Sequence, residues 1–132
     1  MRVATFIEIV PNVIIIQFEP GCGRCTKEDF TSYLSEFKEL FKRETPFNIL
    51  LDGRDVHSLP VRYAMQHGFF LVKNKKSTEK LIEKSAIVLS SKTVRRILNV
   101  VFTIYTPKSD LIITRDIEEA AMHVGSSGEK NS

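Results

Sequence analysis

Three short, uninterrupted apolar runs, FNILLD (47–52), SAIVLS (85–90) and DLIITR (110–115), are separated by stretches whose apolar residues recur at helical spacing. A strand apolar on both faces has to be covered on both. Strands joined through helices pair in parallel, by right-handed crossovers. That alternation restricts the chain to an α/β domain. Ahead of it, VATFIEIV and NVIIIQF are two β-branched runs meeting at Pro11 and Asn12, read as an antiparallel hairpin that opens the domain.

The helical stretches carry their own signals. In TKEDFTSYLSEFKELFKRE, Phe30, Tyr33, Leu34, Phe37, Leu40 and Phe41 form one stripe of a 3.6-residue period, and Thr26 with Asp29 three residues on is a capping start. A second helix is expected from Pro60, which a first turn tolerates, to about Lys75, with STEKLIEK as a further turn. Its inward face is read as Ala64, Gly68, Leu71 and Val72, with Met65 and Phe69 alongside. SKTVRRILNVVFTIY places Val94, Ile97, Leu98, Val101 and Tyr105 on one face. DIEEAAMHV opens on Asp116 as N-cap, with Glu119 three residues on. The expected order is β-β-α-β-α-β-α-β-α, a mixed, mostly parallel sheet packed with helices. It forms one domain over residues 1–124, followed by a disordered polar tail, 125–132.

A chain of 132 residues is long enough to bury one real core. Its longest apolar run, VIIIQF, is of strand length, far short of the roughly 18 residues that mark a membrane span. The N-terminus enters an alternating pattern directly, without a long apolar leader or a small-residue cleavage site, so a cytoplasmic address is expected. A net charge of +3 is too mild for a nucleic-acid binder, and no aromatic residue interleaves the basic stretch KNKKSTEK to stack a base.

Two segments propose chemistry. In GCGRCTKEDF, Cys22 and Cys25 form a C-x-x-C between a strand and a helix, with Arg24 and Lys27 close by, as a dithiol oxidoreductase would have. The rest of a thioredoxin-type arrangement is missing. No strand-opening proline is positioned to face the dithiol, and DLIITR passes straight to the last helix without a hairpin partner. The pair is therefore read first as a glycine-rich turn. A zinc site within one chain would have to recruit two of His57, His67 and His123, and no metal or cofactor is expected. In LLDGRDVHSLP, Asp52, Arg54, Asp55, His57 and Ser58 project near the carboxyl end of a central strand, where open parallel sheets meet ligands. A Ser, His and Asp within seven residues fan out rather than converge, and no nucleophile elbow is present, so a hydrolase is not expected.

The order of elements, FNILLDGRD running into a loop with His57 and Ser58, the helix after Pro60 and the closing LIITRDIEEAAMHV together resemble the STAS domains. The resemblance is narrower to the SpoIIAA-like group classed with the lipid-binding CRAL-TRIO fold, and it extends from about Phe6 to Val124. It implies a non-catalytic regulatory or protein-interaction module that contacts a protein partner or a second copy through loop 53–59 and the helices that follow. It also implies Ser58 as the nearest match to the family's phosphorylated serine, although the family's Asp-Ser pair ahead of a Gly is absent. Kinship with lipid-binding folds implies a second possibility, a carrier of a small apolar or lipid ligand bound between the sheet and the second and third helices. The run GFFLV must leave at least one large group outward, so Phe69, Phe70 and Phe102 are candidate ligand or interface residues.

Overall fold

The computed structural model describes residues 1–125. Over them the chain folds into a single α/β domain with a five-stranded mixed sheet. β1 (Ala4–Val10) and β2 (Val13–Phe18) form the expected hairpin, pairing Ala4 with Phe18, and Asn12 takes the turn's left-handed conformation at φ 70°. Asn is one of the few side chains that tolerates it.

From β2 onward the chain alternates through α1 (Lys27–Glu39), β3 (Phe47–Gly53), α2 (Val61–Lys73), α3 (Lys75–Leu81), β4 (Ile82–Leu89), α4 (Lys92–Ile104), β5 (Asp110–Thr114) and α5 (Ile117–Gly125). β2 to β5 are parallel and lie side by side in sequence order. Each right-handed crossover steps one strand in the same direction, so the connecting helices gather on one face. There Phe30, Tyr33, Leu34 and Phe37 of α1, Tyr63 of α2 and Val94 of α4 pack on Ile14, Ile16, Ile49 and Ile87. On the other face α5 brings Ala120 and Val124 onto Leu50, Ala86 and Val88.

The caps follow the sequence closely. The Thr26 hydroxyl accepts from Asp29 N at 3.1 Å, while the Asp29 carboxylate accepts from Thr26 N at 3.0 Å. At α5, Asp116 accepts from Glu118 N at 2.9 Å. Glu119 closes the turn indirectly, accepting from the Thr114 hydroxyl, which itself accepts from Asp116 N.

Three expectations are corrected. β4 starts at Ile82, three residues before the apolar run, because a strand need not be apolar where its sheet neighbours end. The second helix breaks at Asn74, which donates its side-chain amide to Phe70 O at 2.8 Å and so ends α2 before α3 begins. The inward face of α2 is Tyr63, Ala64 and Gly68, and Val72, Met65 and Phe69 are exposed. Gly68 sets that rotation: Ile104 of α4 lies so close that a Cβ at residue 68 would sit 3.0 Å from its side chain. Gly125 ends α5, and the rest of the expected tail, 126–132, lies outside the described residues.

Candidate functional site

Loop 53–59 leaves β3 at its carboxyl end. Its first charge pair is self-contained: Arg54 donates from Nε and Nη2 to the two Asp52 carboxylate oxygens at 2.9 and 2.8 Å, and its backbone N donates to the same group. Burial acts to raise the Asp52 carboxyl, but these bonds outweigh it and hold the group below its ordinary value. Val56 is buried as an anchor, while Arg54, Asp55, His57 and Ser58 are exposed. Among the described residues no hydrogen bond joins Asp55, His57 and Ser58, so they do not form a relay. The sheet explains why no crevice gathers them. Ligand clefts at strand ends arise where strand order reverses, and here the order β1 to β5 never does.

Cys22 opens a 3-10 turn, Cys22–Arg24, beside this loop, Cys25 is the extended residue that ends it, and both cysteines are buried. Burial, reinforced by the neighbouring Cys25, pushes Cys22 up to about 11, and burial raises Cys25 as well. That is opposite to what a thiolate nucleophile requires. The Tyr63 hydroxyl donates to Cys25 O at 2.7 Å, fastening the turn to α2. Gly23 fits directly against Ser58, and a Cβ there would collide with the Ser58 main chain and hydroxyl. Gly23→Ala is therefore expected to cost about 2 kcal/mol by overpacking, read as a lowered urea midpoint with unchanged slope. No group of three or more His, Cys, Asp or Glu among the described residues could hold a metal ion.

The site with room for a ligand lies below these loops, between the sheet and the layer of α1, α2 and α4. A cavity of about 160 Å³ runs there, from Cys22 and Leu59 near the loops to Tyr105 and Leu111 at the opposite end of the sheet. Its walls include Ile49, Ile87, Ala64 and Phe102, and no charged side chain lines it. Left empty, such a volume forgoes about 4 kcal/mol of packing, at roughly 24 cal/mol per Å³.

One imidazole stands in the wall. The Tyr33 hydroxyl lies 2.8 Å from His67 Nε2, inside a box made by Phe30, Phe37, Phe70 and Tyr33 itself. Among the described residues Nε2 is the one partner of that hydroxyl, and the opposite tautomer would orphan both the hydroxyl proton and the second ring nitrogen. Tyr33 O–H therefore donates to Nε2 and the proton sits on Nδ1, which is buried without a partner. Burial holds His67 neutral, pushing it down to about 4 against a weaker pull from its own main chain.

The three candidate phenylalanines divide. Phe70 is part of the core, its ring 5.5 Å from Phe37 and stacked 6.3 Å from Phe41. Phe102 lines the cavity, and Phe69 points outward, 56% exposed. The sequence placed a candidate ligand between the sheet and the helices, where this cavity lies, and named Phe102 of its wall, but it did not show the Tyr33–His67 pair. The available signal was Ala64 and Gly68 four residues apart on an inward helix face, where small residues leave space. No protein-family model, curated protein or solved structure matches the chain.

Proposed function

We propose that this chain is a non-catalytic binding module whose cavity between sheet and helix layer holds one small, uncharged, largely apolar molecule. The observation that carries the reading is the cavity itself: partly open, lined mainly by apolar side chains from α1, α2, α4 and the sheet, and large enough for a single ring or a short chain. An engineered apolar cavity of about 150 Å³ takes up benzene, which sets the scale. An ionised ligand is disfavoured because nothing in the wall would compensate its charge. The same scale excludes a two-chain lipid inside the cavity as it stands.

The test fills the space. Ala64 is buried on the cavity wall, and Ala64→Leu adds three carbons to it. The parent chain is expected to take up benzene, and the variant is expected to gain about 2 kcal/mol of stability by burying the added carbons and to lose that uptake. A variant that is destabilised, or one that binds the probe as the parent does, contradicts the reading.

A second reading is favoured by the rim. Arg54, Asp55, His57 and Ser58 are all exposed on one loop, where the STAS resemblance implies contact with a protein partner and phosphorylation of Ser58. The two readings are compatible, since Leu59 and Val56 of the same loop line the cavity and would relay its filling to the rim.

A further inference from the structure

We propose that the outer surface of α2, with the cations of α3 and α4 beside it, docks the domain on an anionic lipid bilayer. Val61, Met65, Phe69 and Val72 recur at helical spacing along the outward face of α2, each between 41% and 56% exposed. They form one apolar line about 16 Å long, at 1.5 Å per residue. Scattered exposed apolar residues need no account, but four in register on one helix do.

On the side of α3 and α4 the charges beside the line are mostly positive. Neither α2 nor α4 contains an Asp or Glu, and α3 contains only Glu79. Arg62 and Lys73 border the line, Lys75 and Lys76 follow it, and Arg95 and Arg96 lie on α4, all exposed. Acids lie on α1, across α2 from α4, as Glu28, Asp29, Glu36 and Glu39, and on the far side of the sheet as Glu118 and Glu119 of α5. With a net charge of only +3 for the whole chain, the basic face results from segregation rather than from composition.

A convex helix with a narrow apolar line and flanking cations matches the interfacial region of a membrane. Its side chains enter among the headgroups, and each nearby Lys or Arg adds attraction to anionic lipid. A protein partner would need a shaped surface of about 800 Å² per side, and four half-exposed side chains on a convex helix do not supply it. The helix does not cross the bilayer: no helix among the described residues is long and apolar enough to do so. The inference is independent of whether the cavity holds a ligand.

Sedimentation of the full chain with phosphatidylcholine vesicles, with and without phosphatidylserine, tests it. Binding is expected with phosphatidylserine and not without, and is expected to weaken steeply with salt. Phe69→Ser, and separately the pair Arg95→Glu and Arg96→Glu, should each reduce it about tenfold at an unchanged melting temperature, because these side chains face solvent. Equal binding to both vesicle types, or variants that bind as the parent does, overturns the proposal. So does a dimer in light scattering that Phe69→Ser dissolves while vesicles go unbound, which would assign the stripe to a second copy.

Discussion

Lowering the pH from 7 to 4 is expected to cost the domain about 3 kcal/mol of stability, nearly all of it through His67. The sign follows from the direction of the shift. In the unfolded chain the imidazole takes a proton near its ordinary value of 6.5, whereas in the folded domain burial delays protonation to about 4. Above 6.5 both states are neutral and the burial is harmless. Between 6.5 and 4 the unfolded state binds a proton that the folded state cannot, so stability falls with pH and levels off once both are charged. Among the described residues, a charged His67 would find the Tyr33 hydroxyl, its own main chain and aromatic rings, and no carboxylate.

The carboxylates act in a lower window. Glu8, held down by hydrogen bonds from Arg43, Asp29, held down by Thr26 N, and Asp52, held down by Arg54 against its burial, lose their contribution only as pH falls below ordinary values of 4.5 and 3.8. Urea midpoints across pH 7 to 4.5 read the histidine alone among these groups. His67→Gln removes the titration while keeping a partner for Tyr33, and should flatten the profile. A parent profile that is already flat, or a slope that survives in His67→Gln, contradicts the assignment.

Asn48→Ala is expected to cost about 3 kcal/mol, although the residue touches neither cavity nor loop. Asn48 is 2% exposed near the start of β3 and is bonded from three sides. Its backbone N donates to Asn12 O at 2.8 Å, its side-chain Nδ2 donates to Val124 O at 2.6 Å, and its Oδ1 accepts from Lys84 N at 3.0 Å. The last bond has a structural cause. Between the pairs Phe47 with Ile82 and Ile49 with Ser85, β4 spends one residue more than β3, and this bulge takes Lys84 N out of the regular ladder. The Asn48 amide stands in for the missing main-chain acceptor and ties the C-terminal end of α5 to the sheet. Truncation withdraws partners from two main-chain groups at once, each worth about 1–3 kcal/mol when left unsatisfied. Hydrogen exchange should quicken in α5 before the central strands. A loss under about 1 kcal/mol would show that the amide is dispensable.

Asn48 also shows what could and could not be read from the residues. A lone Asn inside FNILLD announces a buried amide in need of partners, but its partners lie 36 and 76 positions away and no local pattern names them. Local rules did specify the helix starts, down to the reciprocal bonds of Thr26 and Asp29, because caps depend on residues three apart. Parallel pairing of β3, β4 and β5 also follows from apolar runs separated by helices. The phase of α2 does not. With large apolar groups at 69, 70, 71 and 72, periodicity offers no unique inward face, and the close approach of Gly68 to Ile104 decides which of them meets water. The volume and lining of the cavity were the least legible feature, since the space is left unfilled by side chains from eight helices and strands and no single stretch encodes it.

Calorimetric titration of benzene into the parent chain and into Ala64→Leu measures the proposed role of that volume directly. Saturable heat with one equivalent bound by the parent and none by the variant is the predicted result. No binding by the parent, or equal binding by both, would contradict it.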